Sequence, residues 1–199
     1  YASTAQTLAH GIDSPDLLDC MSKIGEQSFR AGEIIRRMRS FVRKADGGRA
    51  NIDFNRLVQD VLSLLADYIS QNKVSIELDL AQFELRSRVD AIQIQQVIVN
   101  LVRNSIEAMR EIVDRPRLIS ICTELVNNEI HFSITDTGCG LDPSIAARLF
   151  FPFQTTKPNG LGLGLSISRT LIEAHGGRIH ATCDRSNKTT FAFSLPVVT

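Results

Sequence analysis

The sequence shows no excess of either charge: 22 basic and 22 acidic residues give a formal net charge of zero. Nucleic-acid binding by bulk electrostatics therefore has no support. No run approaches the roughly 18 apolar residues of a membrane span, and no signal-peptide pattern opens the chain. The expected setting is cytoplasmic, with no membrane contact in these residues, although a longer protein carrying them could be membrane-anchored. Cys20, Cys122, Cys139 and Cys183 are scattered without C-x-x-C spacing, so they are read as reduced thiols rather than a disulfide frame or metal site. Internal repeats are absent. So is the G-x-x-x-x-G-K-[ST] phosphate loop, and the one glycine-rich loop does not follow directly on a strand, as a dinucleotide fold requires.

What is present suits a soluble globular chain of one or two domains: 199 residues, 43% hydrophobic and 22% charged, enough for a real core. Tyr1 to His10 is helix-compatible and lacks a preceding cap. Gly11-Ile12-Asp13-Ser14-Pro15 reads as a helix stop, a cap and a first-turn proline. From Asp16 to about Lys44 a long helix is expected, its stripe built of Leu17, Met21, Ile24, Phe29 (roughly in step), Ile34, Ile35, Met38, Phe41 and Val42. Such a hairpin, spanning residues 1–45, cannot bury its stripe alone; a dimeric four-helix bundle is the natural solution, and a monomeric arm packed on the second domain is the alternative. Ala45-Asp46-Gly47-Gly48-Arg49 is a linker by composition.

Residues 50–199 read as a second domain, an α/β sandwich within an α+β chain. A short strand near Ile52 precedes a helix from about Phe54 to Gln71, with Leu57, Val58, Val61, Leu62, Leu64, Leu65 and Ile69 as its apolar face. Val74, Ile76, Leu78 and Leu80 alternate as in a strand with one buried face. Leu85 to Val89 is a shorter strand. Asp90 caps a helix running to about Ile112, with Ile94, Val97, Ile98, Leu101, Val102, Ile106 and Met109 facing the core. Leu118 to Leu125 and Glu129 to Asp136 form a hairpin around Asn127-Asn128. Ser144 to Leu149 is a short helix, Leu163 to His175 a longer one closed by Gly176-Gly177, and Arg178 to Cys183 and Thr190 to Leu195 are the last strands.

Three features point to nucleotide chemistry. Asn100 and Asn104 lie four apart and share one helix face. Asparagine is a mediocre helix former, so a stacked pair amid an apolar stripe needs a reason. Amide oxygens offered to a hydrated magnesium ion and to phosphates would be one; capping of a neighbouring loop would be another. Asp136 ends an apolar strand at a turn carrying Gly138 and Gly140. Gly160, Gly162 and Gly164, with Leu163 and Leu165, open directly into a helix whose bare amides suit phosphate; a flexible surface loop is the bland reading of these glycines.

In their order these stretches resemble sensor histidine kinases of two-component systems. Gln95-Gln96-Val97-Ile98-Val99-Asn100-Leu101-Val102-Arg103-Asn104-Ser105-Ile106-Glu107-Ala108 resembles their N box, and Asp136-Thr137-Gly138-Cys139-Gly140 their G1 box. Phe150 to Lys157 resembles the F box and lid, Gly160 to Leu165 the G2 box, and residues 26–37 the second helix of a FixL-like dimerisation hairpin. The resemblance implies a Bergerat-type ATP-binding fold, with ATP and Mg²⁺ as cofactors. Asp136 would accept the adenine amino group, and Asn104, with Asn100, would hold Mg²⁺. Lys157 and the amides around Gly162 to Leu165 would contact the phosphates, Phe153 and Thr156 would belong to the ATP site, and Thr190 would serve the adenine-side water network. Thr137 and Lys188 depart from the common pattern without removing a required group. A response-regulator receiver domain is the implied partner, alongside a second copy of the chain. Asn100 stands where gyrase-like and chaperone-like ATPases carry a glutamate base, and an amide cannot abstract a proton. An anti-sigma-type or non-catalytic ATP-binding module is the alternative. His10-Gly11-Ile12-Asp13-Ser14-Pro15 imitates the phosphoacceptor box at four places. Its second position lacks the acid, however, and it sits at the turn of the hairpin. The acceptor is expected upstream of Tyr1, and residues 1–199 are expected not to phosphorylate themselves.

Overall fold

The computed structural model describes residues 48–142, 148–155, 162–184 and 186–198. The helical hairpin, the expected helix at Ser144, and Thr156, Lys157 and Gly160 lie outside the described residues. The order of elements is β1 (Ala50–Asp53), α1 (Phe54–Leu64), α2 (Ala66–Gln71), β2 (Ser75–Asp79), β3 (Arg86–Val89), α3 (Ala91–Ala108), β4 (Leu118–Val126), β5 (Glu129–Asp136), α4 (Gly164–Ala174), β6 (Arg178–Cys183) and β7 (Thr189–Pro196).

Five strands form a mixed sheet in the order β2-β4-β5-β7-β6, and β1 pairs with β3 in a separate antiparallel ribbon. Only the β2–β4 pair of the large sheet is parallel. The β4–β5 hairpin turns at Asn127 and Asn128, both at positive φ (50° and 65°). Asparagine tolerates that left-handed pair, whose twist suits a tight hairpin.

Strand alternation sends Ile119, Ile121, Ile130, Phe132, Ile134, Phe191, Phe193 and Leu195 to the buried face. The buried stripes of α1, α3 and α4 complete the same core. At its centre Phe54 meets Phe132 and Phe193 edge-on, each at 6.0 Å between ring centroids, while Phe132 and Phe193 stack at 4.8 Å. All seven residues expected on the core face of α3, from Ile94 to Met109, are buried. Asp90 caps that helix as expected, accepting from the N–H groups of Ile92 and Gln93 at 3.0 and 3.2 Å.

Two expectations need correction. The helix expected from Phe54 to Gln71 is two helices. Leu65 leaves helical geometry (φ −95°, ψ 3°), its N–H shared between the carbonyls of Val61 and Leu62 at 3.1 and 3.2 Å, and Leu64 is thrown outward at 77% exposure. Leu78 was expected on a buried face but is 47% exposed. Its strand is the edge of the sheet, paired only with β4, so its helix-side face overhangs the core. His175, the C-cap of α4, is also a buried strut. Its Nδ1–H donates to the Leu171 carbonyl at 2.8 Å, and its Nε2 accepts from the Asp90 N–H at 3.1 Å. One ring thereby ties the end of α4 to the start of α3.

The aromatic trio sets a stability test. Phe54→Ala removes the ring that touches both of the others, and the expected loss is about 3–5 kcal/mol in urea denaturation.

Candidate nucleotide site

Asp136 is the last residue of β5, at the middle of the sheet, and is fully buried. Its Oδ1 accepts from the Gly138 N–H at 2.9 Å. Its Oδ2 has no hydrogen-bond partner in the protein. Burial pushes its carboxyl up to about 6; the Gly138 N–H and the neighbouring Ser105 hydroxyl pull the other way.

The turn that follows is tightly held. Arg115 donates from Nε to the Thr137 carbonyl (3.0 Å) and from a terminal nitrogen to the Gly138 carbonyl (2.6 Å). The Thr137 hydroxyl donates to the Pro116 carbonyl and accepts from the Leu118 N–H. Threonine therefore holds this turn to the start of β4, which is what its departure from the usual residue accomplishes. The Cys139 N–H reaches the Ala108 carbonyl at the end of α3. A Cβ on Gly138 would stand 2.6 Å from Asp136 Oδ1 and 2.9 Å from the Ala108 carbonyl oxygen, so only glycine fits between strand end and helix.

The asparagines sit on α3, beside α4. Asn100 Nδ2 donates to Ser168 Oγ on α4 at 3.0 Å. Its Oδ1 lies over Gly164, where a Cβ would come within 2.5 Å of it. Asn104 follows one turn later, toward Asp136. Helices α1 and α3 begin with aspartate caps, whereas α4 begins at Gly164 with no side-chain cap. Among the described residues no side chain caps its first amides, an arrangement that suits an anion. Gly162 has φ +64°, and a Cβ there would meet the Gln154 backbone at 2.6 Å; its carbonyl accepts the Phe153 N–H at 3.0 Å. Phe153 itself points outward, 74% exposed. The structure thus brings Asp136, Gly138 and Gly140 to one turn, and gathers Asn100, Gly162, Leu163, Gly164 and Leu165 where α3 meets the start of α4.

Residues 89–199 match the family described as histidine kinase-, DNA gyrase B- and HSP90-like ATPases. The chain belongs to that family. Among sensor kinases, it is 36% identical over 184 residues to the sensor protein FixL of Bradyrhizobium diazoefficiens, covering 92% of this chain and 36% of FixL. The catalytic domain of histidine kinase ThkA superposes with a TM-score of 0.68 at 32% identity, covering 75% of this chain and 96% of that one. ThkA in complex with the response regulator TrrA gives 0.77 at 26% identity, covering 98% of this chain and 56% of that one. The chain spans about a third of the length of the curated relatives it matches. Among the described residues, no helix is long and apolar enough to cross a membrane.

Within this ATPase fold, one expected residue falls on the wrong side of the sheet. Thr190 stands opposite Thr135, and their hydroxyls bond at 2.8 Å. Thr189 is the residue opposite Asp136, and it is buried on the same face. Strand side chains alternate, so a one-residue difference changes the face. The buried run Phe191, Phe193, Leu195 carries the signal that finds Thr189, since it shares their parity. Ser168 and Arg115 were also missed. Neither belongs to a motif, and only the fold brings them to Asn100 and to the Asp136 turn.

The raised Asp136 carboxyl gives a signed pH prediction. The native state holds this proton more tightly than the unfolded chain does, so folding stability falls as pH rises from about 4 through 6. Asp136→Asn, which can still accept from Gly138, should gain up to about 3 kcal/mol over the parent at pH 8 and close to nothing at pH 4. Denaturant titrations at the two pH values read this directly.

Proposed function

We propose that residues 50–199 bind Mg-ATP, and that in the whole protein the γ-phosphate passes to a histidine outside the ATPase domain and then to a receiver-domain aspartate. The observation that carries this reading is the orphaned, buried Oδ2 of Asp136, set on the same helix-and-turn unit as Asn100 and the uncapped start of α4. A buried acceptor without a donor is costly, and the exocyclic amino group of adenine is a donor of the right kind. The fit extends to magnesium, which takes oxygen ligands and keeps several waters. Among the described residues no group of three or more His, Cys, Asp or Glu side chains is placed to hold a metal ion, so the asparagine amides are the donors available. Magnesium would neutralise charge on the phosphates. Asn104 would hold it, assisted by Asn100, whose amide is oriented by Ser168.

The residues position ATP rather than activate water. Asn100 cannot serve as a base, whereas in-line phosphoryl transfer needs mainly alignment and charge neutralisation. The amides that open α4 would hold phosphate oxygens, joined by Thr156, Lys157 and Gly160 of the lid. Thr189 would take the adenine-side role, beside Asp136. The acceptor is not one of the histidines of this domain. Both ring nitrogens of His175 are engaged in the fold, and His131 and His180 share the sheet face of Thr135 and Thr190, away from Asp136. The solved ThkA–TrrA complex supports a response regulator as partner, and a homodimer would form through residues 1–45, whose apolar stripe in the sequence needs a second copy to bury it.

Calorimetry with a non-hydrolysable ATP analogue tests this reading. The parent should bind with a Mg²⁺-dependent increase in affinity. Asp136→Asn should weaken binding at least about tenfold with or without the metal, and Asn104→Ala should abolish the metal dependence. A folded parent that binds no nucleotide would contradict the proposal.

A further inference from the structure

β2 is one edge of the large sheet, and that edge is left unfinished. β2 pairs with β4 only as far as Asp79 and Cys122, yet β4 runs on to Val126. Among the described residues, Thr123 to Val126 have a strand partner only in β5. After Asp79 the chain is drawn toward α1 instead of continuing along them. Asn55 Nδ2 donates to the Ala81 carbonyl at 2.9 Å, and its Oδ1 accepts from the Thr123 hydroxyl at 2.7 Å. Thr123 Oγ1 in turn accepts from the Ala81 N–H at 3.1 Å. A groove of about 360 Å³ remains, with Asp79, Phe83, Cys122, Glu124 and Leu125 in its lining. Its two sides differ in chemistry. Leu125 has the parity of Ile119 and Ile121 and lies toward the helices, as does Leu78, which stands opposite Ile121. Leu78, Phe83 and Leu125 are 47%, 54% and 43% exposed. Glu124 and Asp79, the latter opposite Cys122, belong to the other face of the sheet. Among the described residues no lysine or arginine pairs with either carboxylate, and none lines the groove. Burial, and after it the charges of Asp79 and Glu124, push the Cys122 thiol up, so both carboxylates bear on one spot.

We propose that this groove binds an extended segment of a partner protein in which apolar and basic residues alternate, laid along Thr123 to Val126 where β2 would have continued. Successive side chains of a strand point to opposite faces. The apolar ones then cover Phe83 and Leu125 on the helix side, while the basic ones meet Asp79 and Glu124 on the other. Main-chain hydrogen bonds to a free strand edge supply affinity, and the alternating side chains supply register and specificity. A second copy of the chain does not fit the same edge, because it would bring like carboxylates together. Asp136 stands opposite Ile119, so the groove lies at the other end of β4 from the Asp136 turn, and the inference does not rest on the nucleotide reading.

The probe is a fluorescent peptide alternating lysine and valine, added to the full chain. Its control has the same composition with all lysines before all valines. The alternating peptide should bind saturably and at least about fivefold more tightly than the control, since only alternation places charge on one face and apolar groups on the other. Amide NMR shifts should change around residues 79–83 and 122–126. The double variant Asp79→Lys and Glu124→Lys, with a circular dichroism spectrum matching the parent's, should bind the alternating peptide at least about tenfold more weakly. Absence of saturable binding overturns the proposal. Equal affinity for the two peptides, or equal affinity of parent and double variant, does the same, because attraction of charge alone would then account for binding. Shifts centred elsewhere on the domain also overturn it, as does a parent dimer in sedimentation that the double variant loses, which would make a second copy the occupant.

Discussion

A carboxylate buried at the end of the central strand is the constraint on which the rest of the structure depends. Placing Asp136 out of water costs free energy unless its oxygens are met, and the protein meets only one of them, with the Gly138 N–H. Everything around it is arranged to hold the other in place. The strand is fixed by neighbours on both sides, β4 and β7. The turn beyond it is held by Arg115 and Thr137. Helix α3 closes over it so tightly that position 138 admits no Cβ. Such a carboxylate lowers folding stability near neutral pH, the kind of local cost that marks a binding site.

Helix α3 joins the two halves of the site. One face carries the stripe from Ile94 to Met109 into the core; the side toward α4 carries Asn100, bonded to Ser168. His175 fastens the far end of α4 to the residue that caps α3. The two helices are thus tied near Asn100 and again at Asp90. The geometry between the Asp136 carboxylate and the start of α4 at Gly164 is therefore set by packed elements rather than by loops, which is what precise positioning of a substrate requires.

Much of this was legible in the sequence, because long periodic segments carry redundant signal. The α3 stripe, its Asp90 cap, the Asn127-Asn128 hairpin and the glycine-bounded aspartate each rest on several residues that agree. What was not legible depends on tertiary context. Leu64 and Leu78 match their apolar patterns yet are exposed, one because the helix breaks at Leu65 and one because β2 is an edge. Thr189 and Thr190 are chemically identical, and only the register against Asp136 distinguishes them. The hairpin and the phosphate lid were read from motif and periodicity, and they lie outside the described residues.

The central claim is that Asp136 is a buried acceptor awaiting a base donor. The most direct test is an NMR titration of its side-chain carboxyl carbon, with and without ADP. The free protein should titrate near 6. With ADP bound the midpoint should drop by at least about one pH unit, because the amino group bonds the ionised form. A midpoint that is unchanged or raised by ADP would contradict the account.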